Sequence, residues 1–243
     1  MANPFYVEGE QRGAKVNDLF ARVAPRYDLI NDLQSFGLHR AWKSRLIRLA
    51  QVRHGESALD MCCGTGDIAF ALHRAGAAVT ALDFSGAMLA VAARRLEQQA
   101  GAGPVFQLGD AQALPFGDGS FDIVTVGYGL RNLPNWEAGL REMHRVARPG
   151  ARLLVLDFGK PDNGAWRALY FAYLRVFVPV FGRLFCGDAA THAYILESLQ
   201  RYPAQRGVAE AMRRLGCRDV QIVNLLGGAM SINFGVKACS LAP

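Results

Sequence analysis

Residues Glu56 to Asp67, ESALDMCCGTGD, constrain the fold more than any other stretch. An alternating apolar run (Ala58, Leu59, Met61) reaches Cys62-Cys63, turns through Gly64-Thr65-Gly66 and enters a helical pattern at Asp67-Ile68-Ala69-Phe70. The pattern predicts a strand, a tight turn and a helix. Two glycines around a small hydroxyl residue let backbone N–H groups come close to a ligand, and Asp67 complements the positive end of the helix. By itself the stretch is equally an ordinary strand-to-helix turn, so its meaning depends on the residues downstream.

Downstream of Asp67 the chain runs through a succession of strand and helix patterns, each strand ending in chemistry. Ala78 to Phe84 reads as a strand ending at Asp83-Phe84, with a helix over Ser85 to Gln99. The interval from the glycine turn to Asp83 is close to the ~20 residues at which doubly wound folds place a ribose-binding carboxylate. Pro104 to Gly109 runs into Asp110-Ala111, and Phe121 to Tyr128 runs into Gly129-Leu130-Arg131-Asn132. A helix then starts at Asn132 or Asn135 and stops at Pro149-Gly150, before a fifth strand over Ala151 to Phe158. Successive βα units imply a parallel sheet that binds its ligand at the carboxyl ends of its strands. Cys63, Gly64, Thr65, Gly66, Asp83, Asp110, Gly127 and the Arg131-Asn132 loop are therefore expected around one crevice. Gly64-x-Gly66-x-x-Ala69 satisfies the dinucleotide fingerprint, which would make the chain an NAD(P)-dependent oxidoreductase. S-adenosylmethionine fits better, with Asp83 for its ribose and Asp110-Ala111 for its adenine edge, since carboxylates around the crevice disfavour a pyrophosphate.

The chain has 243 residues, 51% of them hydrophobic and 20% charged, which suits one domain with a large core. There is no run of ~18 apolar residues and no apolar leader, so the expected location is the cytosol. Five cysteines without CxxC or metal-ligand spacing read as reduced thiols, and no metal is expected. The net charge of +6 comes from dispersed basic residues, which argues against nucleic acid. Ahead of the first strand, Lys15 to Ile30 is helical until Pro25 interrupts it, and His39 to Ala50 is helical again. Tyr27, Asp28, Asn31, Ser35 and Gly37 lie between as turn-forming or polar residues, and the helices either pad the sheet edge or form a lid. Ala165 to Phe185 is dense in aromatics, with Arg167, Arg175 and Arg183 at a spacing that turns only about 80° around a helix. It reads either as a cover over the site that touches the inner face of a membrane, or as core or homodimer packing.

The motifs LDMCCGTGD, ALDFSGAML, GDAQALPFGDGSFDIVTVGYGLRN and REMHRVARPGARLLVLDFGKP, with the early RYDLINDLQSFGLHRAWK and the later YILESLQRYP, resemble the menaquinone/ubiquinone biosynthesis C-methyltransferase family. The match runs from Lys15 to about Lys237, and the CCGTGD and GYGLRN variants look closer to its demethylmenaquinone branch than to its ubiquinone branch. The resemblance implies a class I S-adenosylmethionine-dependent methyltransferase: a Rossmann-like α/β fold, seven strands with the last antiparallel, and a prenylated quinol as substrate. It divides the single domain into an N-terminal helical lid (1–52), a cofactor-binding core (53–160), a helical cover (161–217) and a C-terminal hairpin (218–243). Carried over by position, the family's cofactor residues fall on Thr65, Asp83, Asp110 and Ala111, with Phe84 beside them. Gly127 stands where the family often has Ser, and His192 and Tyr194 stand where it has two tyrosines. Methylating a ring carbon requires electron density there, which a quinol supplies once its phenolic proton is removed or held. Arg131 would then supply charge and Asn132 a hydrogen bond to the developing phenolate, with Tyr27 and Tyr194 as further substrate contacts. Asp110 accepts the adenine amino group or organises a water near the quinol, and His192 is a candidate proton acceptor.

Overall fold

The computed structural model describes residues 11–99, 101–186 and 190–239, with side chains for all of these but 11 and 181–194. The expectations placed on the side chains of Arg183, Cys186, His192 and Tyr194 thus lie outside the described residues.

Helix α1 (Gln11–Val23) passes through a 3-10 turn (Ala24–Arg26) into α2 (Tyr27–Ser35) and α3 (Leu38–Ala50). The core then alternates: β1 (Ser57–Met61), α4 (Asp67–Arg74), β2 (Ala78–Asp83), α5 (Gly86–Glu97), β3 (Val105–Leu108), β4 (Phe121–Gly127), α6 (Trp136–Val146) and β5 (Ala147–Phe158). Helices α7 (Gly164–Cys186), α8 (Ala190–Arg201) and α9 (Ala204–Arg214) lead to the hairpin of β6 (Cys217–Leu225) and β7 (Met230–Lys237). The strands form a seven-stranded sheet in the order β3-β2-β1-β4-β5-β7-β6. All pairings among the first five strands are parallel, whereas β7 runs antiparallel to both β5 and β6.

Both faces of the central strands β1, β4 and β5 are buried, as near-continuous apolar strands require. Leu59 and Met61 of β1 point to one side, with Val124, Val126, Leu140 and Met143, and Ala58 points to the other, with Ile123, Ile68 and Leu46. The sheet is therefore a wall between two helical layers, and α1, α2 and α7 lie along the carboxyl ends of its parallel strands.

Two segments differ from the sequence expectation. Tyr27 to Ser35 is helical, not a turn, because Pro25 sets only the first turn of a 3-10 segment and the polar residues beyond it find tertiary partners. The turn comes later, where Phe36 (φ 51°) and Gly37 (φ 74°) are left-handed and Gly37 N–H donates to Asp32 O. Strand β5 starts at Ala147 and takes in Pro149-Gly150, because Ser120 N–H donates to Val146 O and draws the chain beside β4 before the irregularity between Phe121 and Ile123. Helix α3 pads the sheet through Leu46 and Ala50, whereas Val23, Ala24 and Ile30 of the first helices pack on Met88 of α5.

Candidate active site

The glycine turn is built from backbone that only particular residues tolerate. Cys62, Gly64 and Gly66 all have positive φ (53°, 56° and 88°). A side chain at Gly66 would lie 2.9 Å from Phe106 and 3.0 Å from Phe70, so this glycine seats α4 against β3. Gly64 N–H donates to Asp83 Oδ2 at 2.7 Å, and Ser85 N–H donates to Asp83 Oδ1 at 2.8 Å. One carboxylate thus ties the ends of β1 and β2 together. Burial raises its pKa, and its backbone donors act against that rise. Beneath the turn Asp60 is almost completely buried, accepts from Thr125 Oγ1 at 2.8 Å, and is pushed up to about 7 by desolvation.

Above this floor is a cavity of about 790 Å³ lined by Cys62, Gly64, Asp83, Phe84, Asp110 and Ala111, with Gly127, Asn132 and residues of α1 opposite. Ser85 Oγ and Asn132 Oδ1, both on its wall, are buried without a hydrogen-bond partner. The donor set fits S-adenosylmethionine: carboxylates for the ribose hydroxyls and a cationic sulfonium, partnerless polar atoms for the remainder, and no basic wall for a pyrophosphate among the described residues. Two glycines shape the far side. A side chain at Gly129 would fall 2.3 Å from Cys62 Cβ, and one at Gly127 would fall 2.4 Å from Ile68 Cδ1. At Gly127, where the resemblance leads to Ser, the space a side chain would need is taken by Ile68.

A second cavity, of about 550 Å³, lies against the first and is far less polar. The two share Phe20, Tyr27 and Tyr128 as common walls. Arg131 enters the second cavity and is 7% exposed. Its Nη1 donates to Asp157 Oδ1 at 2.8 Å and to Tyr128 O at 2.7 Å, and its guanidinium lies 4.5 Å from the centre of the Phe158 ring. Burial raises the pKa of Asp157, opposed by Arg131 and by the backbone N–H groups of Phe158 and Arg131. The pair is close to neutral as a unit, so Arg131 offers oriented N–H groups backed by a carboxylate more than a bare charge.

Several expected site residues are placed differently from the sequence reading. Thr65 does not line the cavity: it is 2% exposed, and its hydroxyl donates to Asp28 Oδ1 at 2.8 Å. Arg95 binds the same Asp28, Thr65 O and Asp67, and Lys43 Nζ reaches Asp67 Oδ2 at 2.6 Å. The turn is strapped from behind to α2, α3 and α5, and its side-chain contribution to the wall is Cys62, not Cys63 or Thr65. Cys63 and Gly66 also lie behind the wall, Cys63 with its N–H on Leu82 O. Arg131 and Asn132 face different cavities, Arg131 the second and Asn132 the first, where Asn132 Nδ2 donates to Tyr128 O at 3.0 Å. Asp110 lines the first cavity and not the second, and accepts from Gln112 N–H at 2.8 Å. Tyr27 lines both cavities and stands between the two. Asp157, Asp32 and His39 lie within motifs that carry the family resemblance, but nothing in their spacing along the chain marks their hydrogen-bond partners.

A parallel sheet with an antiparallel seventh strand and an acid-lined glycine turn at its open edge defines a class I S-adenosylmethionine-dependent methyltransferase. A crystal structure of a SAM dependent methyltransferase from Aquifex aeolicus has the same fold at TM-score 0.58, with 17% identity over 80% of this chain and 88% of that one. The chain belongs to the ubiE/COQ5 methyltransferase family, whose model matches residues 7–237. It is 36% identical to the demethylmenaquinone methyltransferase of Halalkalibacterium halodurans over 94% of both chains. It is 40% identical to the ubiquinone/menaquinone biosynthesis C-methyltransferase of Azotobacter vinelandii, over 95% of this chain and 93% of that protein.

Proposed function

We propose that the chain methylates a ring carbon of a prenylated quinol, and that the ring is the naphthoquinol of the menaquinone branch. The observation that carries this reading is an aromatic, nearly apolar cavity sharing the walls Phe20, Tyr27 and Tyr128 with the cofactor cavity, with the Arg131 guanidinium inside it. The cofactor supplies an electrophilic methyl group on a sulfonium. Asp83 and Asp110 would hold its ribose and adenine ends, with the backbone of Gly64 on the same wall for its methionine portion. Tyr27 and Tyr128 orient the quinol ring across the shared wall, and Arg131 donates to the oxygen that gains charge as the ring carbon attacks. Positioning of two partners is the main catalytic term for such a transfer, with hydrogen bonds to the developing phenolate next. Incubation with labelled S-adenosylmethionine and reduced quinones of both ring types tests this directly. Methylation of the demethylated naphthoquinol over the benzoquinol is expected, and no transfer to either would overturn it.

The mouth of the second cavity supports contact with a lipid surface. Phe36 (77% exposed), Leu38, Leu169, Val176, Phe177 and Leu226 form an exposed apolar rim, and Arg167 and Arg175 lie exposed beside it on α7. Tyr170, Leu174 and Val178 turn the other face of α7 into the protein. No described helix is long and apolar enough to cross a membrane, so the rim would rest on a bilayer surface from which a prenylated substrate slides in. Sedimentation with vesicles of anionic lipid should fall severalfold in Phe36→Asp and in Arg167→Glu/Arg175→Glu. Binding equal to that of the unaltered chain removes this part of the reading.

A further inference from the structure

Forming the carbon–methyl bond releases one proton, and something in the second cavity must receive it. Among the described residues that line this cavity there is no aspartate, glutamate or cysteine. Its tyrosines are not acceptors: burial raises the pKa of Tyr27, Tyr170 and Tyr173, and raises that of Tyr128 well above the ordinary value. They stay protonated and serve as donors, and the hydroxyls of Tyr128 and Tyr170 are buried without a partner. Arg131 is a cation bound to Asp157.

The remaining titratable wall residue is His39, which is 4% exposed. Its Nε2 lies 2.7 Å from Asp32 Oδ1, and Asp32 also accepts from Arg40 Nε at 2.8 Å and Arg40 Nη2 at 2.6 Å. The Arg40 and His39 hydrogen bonds hold the Asp32 carboxyl well below the usual carboxylate range. An ionised carboxylate only accepts, so Nε2 carries the hydrogen and Nδ1 carries the lone pair. That Nδ1 is buried and has no hydrogen-bond partner. A buried acceptor left empty is unfavourable, and a phenol O–H that reached it from the cavity would satisfy it.

We propose that His39, oriented by Asp32, accepts the phenolic proton of the quinol through Nδ1. The inference rests on the quinol reading of the site. The phenol O–H bond breaks toward Nδ1 and the ring carbon gains the electron density. The new carbon–carbon bond forms as the sulfonium carbon–sulfur bond breaks, its electron pair leaving on a thioether sulfur. Loss of the ring proton to the carbonyl oxygen restores the phenol, and the one proton released overall leaves from His39. The imidazole is poised for this. Desolvation lowers its pKa and Lys43 on the same helix adds to that, against Asp32 from α2 and Asp67 from α4. From β5, Asp157 is taken up by Arg131 and Arg152 by Glu56. The ring is therefore neutral and able to accept across the neutral range.

Asp32 is a positioning residue, acting through the tautomer. In the unaltered enzyme, kcat/KM for a reduced quinol should fall on the acid side with a midpoint below His39's ordinary 6.5, as the imidazole becomes protonated. His39→Gln should lose about 100-fold or more in kcat together with that acid limb. S-adenosylmethionine affinity by calorimetry should stay within about threefold, because His39 does not line the first cavity. Asp32→Asn should lose at least about tenfold in kcat and shift the acid limb to lower pH, and it carries the test if His39→Gln does not fold. A His39→Gln enzyme with kcat within about threefold of the original and an unchanged acid limb overturns the proposal, as does an Asp32→Asn enzyme with an unshifted limb. If the unaltered chain binds the cofactor and methylates no quinol, the failure belongs to the substrate reading instead.

Discussion

The two cavities that share Tyr27 and Tyr128 are made by different means. The cofactor cavity is floored by backbone at strand ends, with Gly64 N–H fixed on Asp83 and Asp110 at the next strand end. The second cavity is walled by side chains from α1, α2, α3 and α7, which are far apart in the chain. A backbone floor can accept changes among its neighbours as long as the turn conformation survives. A side-chain wall has no such reserve, because removing one group removes the chemistry it carried. Specificity for the methyl acceptor should therefore be easier to lose by substitution than affinity for the methyl donor.

Arg131→Ala should expose that difference most strongly. Breaking its pair with Asp157 leaves a buried carboxylate unpaired and is expected to cost about 3–5 kcal/mol in stability, with turnover falling about 10²–10³-fold. Chemical denaturation and quinol methylation assays measure the two. Adding Asp157→Ala should recover part of the stability and none of the turnover, and recovery of both would show that Arg131 acts only through the fold.

Asp83→Asn reverses the pattern. Losing the charged acceptor for Gly64 and Ser85 N–H should weaken S-adenosylmethionine by about 10–100-fold, in line with roughly 1.5–3 kcal/mol for a hydrogen bond to a charged group. Fluorescence quenching by an apolar naphthoquinone in the second cavity should be unchanged. Equal loss of both ligands would mean that the two cavities do not respond separately.

Thr65→Val gives the smallest expected effect and discriminates between the family's residue roles and the observed contacts. It removes a hydrogen bond to Asp28 behind the floor, so thermal unfolding should register a loss of about 1 kcal/mol while cofactor affinity changes by less than about threefold. A tenfold loss of affinity without a change in stability would return Thr65 to the cofactor wall.

Much of this architecture is legible in order along the chain. The strand–turn–helix units, the acids at the ends of β2 and β3 and the GYGLRN loop all declare themselves through local rules of period, glycine placement and strand termination. Even so, α2 reads as a turn, because Asp28, Asn31 and Ser35 are residues that favour turns when their side chains are free. Here Asp28 is engaged by Thr65 and Arg95, its helix neighbour Asp32 is engaged by His39 and Arg40, and the helix persists. The early start of β5 has a similar cause, since a hydrogen bond from Ser120 to Val146 prevails over the stop expected at Pro149-Gly150.

The sequence by itself therefore determines the sheet, the order of its units and the edge at which a cofactor binds, since these depend on backbone preferences of adjacent residues. Only the tertiary structure decides that Thr65 turns to Asp28 and away from the first cavity, that Arg131 is paired with Asp157, and that His39, a wall residue of the second cavity, keeps a buried Nδ1 without a hydrogen-bond partner. Such pairings join groups from separate elements through burial and hydrogen-bond geometry, and neither leaves a signature in the spacing of residues along the chain.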